Sequence, residues 1–217
     1  MKIDNETIEI LKNFSQINNQ IYVKSGNVIR SMEKGKTILA ESKLPFTFDV
    51  DFAIYDLNKF MVALNLFKLP ELTFEKKFVR ISDDNKNLDY YYANPETLDD
   101  ATVKALKDIS ETDIMDEIDI NYDTLINVKN VSNTLDLDCL MIEADGQTIS
   151  FNSYNEKNRS AGAFKEVIGK TDKTYKISAN KIKHKMFKDD YKLIIFDSGI
   201  VKLIGNKVTY WIPGEII

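Results

Sequence analysis

The chain has 217 residues, 43% of them hydrophobic, and a formal charge of −5, enough for one large domain or two of about 100 residues each with a packed core. Its longest apolar run, Phe60 to Leu64, is far short of the roughly 20 residues of a membrane span. Lys2 followed by Asp4, Glu6 and Glu9 lacks the basic head and apolar stretch of a secretory signal, so a cytosolic protein is expected. The one cysteine, Cys139, excludes an intrachain disulfide and reads as a buried thiol among Leu137, Leu140 and Ile142.

The acidity is concentrated. Residues 1–94 carry 13 basic and 13 acidic side chains, residues 95–120 carry 2 and 9, and residues 121–217 carry 14 and 12. Either flank can therefore present a basic face although the whole chain is acidic.

In chain order, Glu6 to Ile17 places Ile10, Leu11, Phe14 and Ile17 on one side of a helix and Glu9, Lys12 and Gln16 on the other. Strands Ile21 to Lys24 and Val28 to Met32 flank Ser25-Gly26-Asn27, which predicts a hairpin turn, and Thr37 to Leu44 follows the Gly35 turn. Phe46 to Ile54 reads as one strand, Leu57 to Phe67 as a helix, and three strands follow at Leu72, Phe78 and Leu88. From Asn94-Pro95-Glu96 to about Asp119 the pattern predicts an acidic connector with one short helix near Ala101 to Ile109. The order then repeats. Strand Ile118 to Ile120, helix Tyr122 to Val131 and strands near Leu140, Thr148 and Ala161 precede strand Tyr175 to Ser178, helix Asn180 to Lys188 and strands at Tyr191, Ile200 and Val208. The division is thus an N-terminal domain (1–94), a connector (95–119) and a C-terminal domain (120–217), each domain holding two strand-helix-three-strand units.

Catalytic chemistry finds little material. His184, the single histidine, lies in a Lys-rich stretch with no carboxylate at i±3 or i±4, and one His with one Cys cannot furnish a four-ligand zinc site. The eight glycines are too dispersed for a phosphate-cradling loop. Asp49-x-Asp51 and Asp136-x-Asp138 resemble paired carboxylates of a metal nuclease, but alternating Asp on a strand is more often its solvated side. What remains is basic. On a helical wheel Ala179, Ile182, Met186 and Phe187 cluster, while Lys181, His184, Lys185 and Lys188 share a separate arc, and Lys12, Lys59 and Lys129 stand one on each of the other three helices.

Leu11-Lys12-Asn13-Phe14 with Ile17-Asn18, Lys24-Ser25-Gly26, and Phe52-Ala53-Ile54-Tyr55-Asp56-Leu57-Asn58-Lys59-Phe60 match, in residue and order, the sliding clamps of T-even-type bacteriophages, which the first domain closely resembles. Ala93-Asn94-Pro95 resembles the start of that family's connector; Ile149 to Asn155, Ser160-Ala161 and Tyr191-Lys192-Leu193 carry a looser resemblance in the second domain. The acidic connector here departs from the family in lacking a Pro-rich stretch. The resemblance implies an α+β sliding-clamp (DNA clamp) fold, with helices lining a ring and sheets outside. It implies a non-enzymatic processivity factor without cofactor, encircling duplex DNA as a homotrimer. Its partners would be a replicative DNA polymerase and a clamp loader, with host RNA polymerase as a further partner, in the cytoplasm of the bacterial host cell.

On that reading the DNA-facing residues are Lys12, Lys59, Lys129, Lys181, His184, Lys185 and Lys188. Tyr90, Tyr91 and Tyr92 must put rings on both faces of the first domain's last strand, so part of that strand needs a partner. The small residues Ser160, Ala161 and Ala163, with Phe164, are expected to supply it from another subunit. Leu106 and Ile109 are the expected docking positions for a polymerase peptide. The alternative is a single-stranded nucleic-acid binding module with Phe and Tyr as stacking platforms, although most aromatics sit at core positions of the predicted elements.

Overall fold

The structure, a computed structural model, describes every residue except 106–110, 159, 161, 184 and 185 and the side chains of 181 and 183. The chain divides into two compact units, Met1–Asp108 and Ile109–Ile217.

The first unit contains helix α1 (Asn5–Ile17), strands β1 (Ile21–Val23), β2 (Gly26–Met32), β3 (Leu39–Phe48) and β4 (Phe52–Ile54), helix α2 (Leu57–Asn65), strands β5 (Glu71–Phe74), β6 (Phe78–Ser82) and β7 (Asn87–Tyr91), and the short helix α3 (Asp100–Lys104). Both long helices start on a side-chain cap: Asp4 accepts from the Thr7 amide and Asp56 from the Lys59 amide. Each lays one face on the strands, through Ile10, Leu11, Phe14 and Ile17 of α1 and Leu57, Phe60, Met61 and Leu64 of α2, all buried. β5, β6 and β7 form an antiparallel sheet in that order.

The hairpin expected at Ser25-Gly26-Asn27 does not form. β1 pairs instead with β4, Ile21 opposite Ile54 and Val23 opposite Phe52, while β2 runs antiparallel to β3. Asp51 is the cause: its carboxylate accepts from the Ser25 amide at 2.7 Å and from Lys24 Nζ at 2.7 Å, holding the end of β1 to the turn between β3 and β4. Gly26, at φ +126°, then swings the chain away onto β3. The same turn splits the single strand expected over Phe46 to Ile54.

The second unit contains β8 (Ile114–Ile120), α4 (Tyr122–Thr134), β9 (Cys139–Asp145), β10 (Thr148–Tyr154), β11 (Ala163–Lys170), β12 (Thr174–Ser178), β13 (Tyr191–Phe196), β14 (Ile200–Ile204) and β15 (Thr209–Pro213). One of its sheets runs β11-β10-β9-β12; in the other, β13 lies between β8 and β14, and β14 pairs with β15.

The helix expected over Asn180 to Lys188 is a correction. Among the described residues there, Asn180–Lys183 form a 3-10 turn and residues 186–190 are irregular. The Asn180 side chain accepts from the Leu140 amide and the Ala179 amide donates to the Leu140 carbonyl, which pins the turn to β9. Downstream, the Phe187 amide donates to the Tyr210 hydroxyl at 2.8 Å and the Phe187 carbonyl accepts from the Tyr191 hydroxyl at 2.5 Å. With its backbone groups bonded to the sheet, Phe187 cannot continue a helix. Among the described residues no helix is long and apolar enough to cross a membrane.

Residues 94–105 are fastened to the first unit by a buried amide. Asn18, 4% exposed, donates to the Met32 carbonyl at 2.9 Å and to Thr102 Oγ1 at 3.1 Å, and accepts from the Gln20 amide at 3.0 Å, while the Asp99 amide donates to Gln20 Oε1 at 2.7 Å. Asn18→Ala strands the Gln20 amide and the Met32 carbonyl, and should lower the unfolding free energy measured in urea by about 1–3 kcal/mol.

Candidate nucleic-acid and assembly surfaces

The three long helices turn polar faces to solvent. On α1 these are Glu6, Glu9, Lys12 and Gln16; on α2, Asn58, Lys59 and Asn65; on α4, Asp123, Asn127, Asn130 and Asn133. Lys12 Nζ lies 2.5 Å from Glu9 Oε1, and Lys59 Nζ lies 3.4 Å from Asp56 Oδ2. The Asp56 carboxyl is held below the usual range, chiefly by the Lys59 amide, despite partial desolvation. Lys129 is half-buried beside the apolar stripe of α4, Leu125 and Val128. These faces are therefore amide-rich and close to neutral. The surplus of cation falls on the segment from Lys181 to Lys188, where Lys188 is exposed, the Lys181 side chain is not described, and His184 and Lys185 lie outside the described residues.

The second surface is made of strand edges. Among the described residues β7 pairs only with β6 within its sheet, and β11 only with β10, so alternate N–H and C=O groups along each face outward. The opposite edges of the same sheets are covered by the chain's own ends. On β5, Lys2 bridges Glu71 and the Leu72 amide donates to the Met1 carbonyl at 2.7 Å; on β12, the Ser178 amide donates to Glu215 and the Ile217 amide to Lys176, at 2.9 and 3.0 Å.

The three tyrosines divide as strand alternation requires. Tyr90 packs edge-on against Phe60 at 5.1 Å between ring centroids and donates to the Asp56 carbonyl at 3.2 Å, and Tyr92 lies against Phe52 at 5.6 Å. Burial raises both phenols, that of Tyr92 to about 12 with help from Glu75. The Tyr92 hydroxyl is buried without a hydrogen-bond partner among the described residues. Tyr91 points outward, 68% exposed, with Phe78 its ring neighbour at 5.5 Å. Beside it Arg80 and Asp89 form a bidentate pair at 2.7 and 2.9 Å, which raises the guanidinium and lowers the carboxyl. On the other edge Ala163 and Ser160 are exposed, Phe164 is half-buried opposite Ser153, and Ala161 lies outside the described residues. Leu106 and Ile109 also lie outside them.

Sequence reasoning missed several exposed apolar residues in both units. Val62 and Leu66, at the outer face and C-cap of α2, are 63% and 56% exposed; Leu135, after α4, and Val167, on β11, are 43% and 57% exposed. The signal was available in α2, where Leu57, Phe60, Met61, Val62 and Leu64 wrap further round the helix than one buried stripe requires.

Comparisons with known proteins agree with this geometry. Residues 3–105 match the family model described as DNA polymerase processivity factor. The sliding clamp of Vibrio phage KVP40 is 32% identical with all of both chains aligned, and that of Enterobacteria phage T4 is 29% identical over 99% of this chain and 97% of the relative. Among solved structures, PCNA from A. fulgidus bound to the C-terminal region of FEN-1 superposes with a TM-score of 0.70, covering 100% of this chain and 98% of that one; at 10% identity this likeness establishes the fold.

The division of the tyrosines is testable in the isolated chain. Tyr90→Ala should cost about 1–3 kcal/mol by removing the ring packing and the hydrogen bond, whereas Tyr91→Ala should leave stability within about 0.5 kcal/mol, both read from urea unfolding.

Proposed function

Because this chain belongs to the sliding-clamp family of DNA polymerase processivity factors, we propose that it closes head to tail into a homotrimeric ring around duplex DNA and tethers a replicative polymerase there. The observation that carries this reading is the pair of open edges, β7 in one unit with its exposed Tyr91 and β11 in the other with its exposed Val167. A join between two different edges is heterologous, and it closes on three subunits when each step rotates by about 120°. β7 and β11 then complete each other's hydrogen bonding, Tyr91 meets the small exposed side chain of Ala163, and Val62 and Leu66 of one copy find apolar surface at Leu135 and Val167 of the next.

Such a ring works by linkage rather than by affinity. Polar contacts to phosphate oxygens are sequence-blind, and a hole lined by amides and counter-charged lysines leaves the duplex free to slide. Lys12, Lys59 and Lys129 contribute weakly on this reading, being paired or half-buried, and the Lys181 to Lys188 segment carries the phosphate contacts. The polymerase, a clamp loader and, in the infected bacterial cytoplasm, host RNA polymerase are the proteins such a ring serves. A short partner tail docking beside the connector, with Leu106 and Ile109 as anchors, is supported by the bound FEN-1 tail in the clamp relative. The chemistry asked of this chain is binding alone: it holds DNA and partner close, so that a dissociated polymerase rebinds before it diffuses away.

Loading onto nicked circular DNA, followed by release on linearisation, tests the linkage directly. In that assay Lys181→Glu with Lys185→Glu and Lys188→Glu should reduce retention while sedimentation still reports a trimer. The slope of log retention against log salt should flatten by about one unit for each lysine–phosphate interaction removed. Unchanged retention and an unchanged slope would remove these residues from the DNA-facing surface.

A further inference from the structure

We infer that Lys202 and Trp211 of the second unit form a carboxylate-binding site which Glu111 of the connector occupies from within the chain, and that an acidic side chain of a partner segment takes the site by displacing Glu111. The inference rests on the reading that a partner tail docks beside the connector. To that reading it adds the chemistry of the tail and a built-in competitor for it.

The site stands on one face of the sheet that holds β13, β14 and β15. Lys202 of β14 is opposite Ile194 of β13 on one side and opposite Trp211 of β15 on the other, so the lysine stem and the indole lie side by side. Lys202 Nζ donates to Glu111 Oε1 at 2.7 Å, and Trp211 Nε1 donates to the same oxygen at 2.9 Å. The ammonium also lies 5.1 Å from the centre of the indole ring. Two donors and an aromatic face thus converge on a single carboxylate oxygen.

These donors have no second acceptor at hand. The Lys202 side chain is 16% exposed, and among the described residues Glu111 is the one carboxylate paired with it. Glu117 of β8, opposite Ile194 in the same cross-strand row, is engaged by Lys192 at 3.4 Å. A largely buried ammonium without a counter-charge is costly, and an indole N–H can act only as a donor. When Glu111 leaves, both groups need another anion. The Glu111 carboxyl itself is held below its usual range, first by Lys202 and then by Trp211, against partial desolvation.

Glu111 is held less firmly than the site it fills. Its side chain is 38% exposed, and its second oxygen, Oε2, makes no hydrogen bond among the described residues. The next two residues are fastened independently of it: Thr112 Oγ1 donates to Ser198 Oγ at 3.0 Å, and the Asp197 amide donates to the Asp113 carbonyl at 2.9 Å. The Glu111 side chain can therefore swing out while Thr112 and Asp113 keep their places. A group tethered so closely competes at an effective concentration of roughly millimolar. Glu111 thus turns away isolated carboxylates and yields to a segment that carries an acidic residue beside further, apolar contacts.

Trp211, the single tryptophan, reports the exchange through its fluorescence. The probe is acetyl-Leu-Glu-Leu-Leu-Glu-Leu-amide titrated into the full chain, with the same peptide carrying Gln in place of Glu as control. Glu111→Ala should bind the acidic peptide about tenfold more tightly than wild type and Lys202→Met about tenfold more weakly, the gain in Glu111→Ala shrinking as salt rises. Glu111→Gln, which keeps the side-chain length without the charge, should fall between wild type and Glu111→Ala, and it carries the comparison if circular dichroism shows that Glu111→Ala has lost its fold. Equal affinities in wild type and all three variants overturn the site, as does an acidic peptide that binds neither Glu111 variant. A Gln peptide that gains as much as the acidic one overturns the carboxylate exchange, since the substitution then merely uncovers apolar surface. The docking reading is judged separately: if the acidic peptide behaves as stated while the wild-type chain, loaded on circular DNA, tethers no polymerase, that reading fails and the carboxylate site stands.

Discussion

A β-strand hydrogen-bonds on two sides, and among the described residues of this protein β7 and β11 each have a neighbour on one side only. In the sheet holding β7 the far edge is covered by Met1 and Lys2, and in the sheet holding β11 the far edge is covered by Glu215 to Ile217. Each sheet is thus finished on one side by its own chain and left unfinished on the other. Soluble proteins usually blunt such edges with charge, proline or a bulge. Here β11 carries one irregularity, between Ile149 and Ser150 of its neighbour, and both edges keep exposed apolar side chains, Tyr91 and Val167.

The helices meet a different constraint. Their inner faces need apolar residues to hold the sheets, and their outer faces are almost free of surplus charge, because Lys12 and Lys59 each have a carboxylate within reach beside the same helix. Exposed pairs of this kind contribute little to stability. Their effect is on the field instead: a counter-charged lysine attracts phosphate less than a bare one, and the asparagines of α4 offer hydrogen bonds without long-range attraction. The clustering of lysines between 181 and 188 stands out against that background.

Much of the fold is legible in the residues. The 3.6-residue spacing of Ile10, Leu11, Phe14 and Ile17 gives α1, and period-two alternation gives most strands, because in both cases one face is buried by the same unit that contains the element. Two readings failed where long-range bonds outweighed local pattern. Ala179, Ile182 and Met186 have helical spacing, yet the Ala179 amide is bonded to β9 and the Phe187 backbone to two tyrosine hydroxyls instead of to helical partners. Ser25-Gly26-Asn27 has turn chemistry, yet Asp51, 26 residues away from Ser25, decides which strand β1 joins. The candidate surfaces were legible in kind but not in detail. Three successive tyrosines predict rings on both faces of a strand, but only the register of β7 on β6 shows that Tyr91 is the one left outside.

The two open edges are different strands from different units, and this has a geometric consequence. A join between unlike surfaces has no two-fold axis, so every subunit added in this way points in the same sense around the assembly. In the ring proposed above the two flat sides are then chemically distinct, as the heads and tails of a coin are. A protein that recognises one side can sit in only one direction along the strand that threads the hole. For a machine that copies DNA with a fixed chemical direction, that lack of mirror equivalence is itself information. It is carried by nothing more than the fact that β7 is not β11.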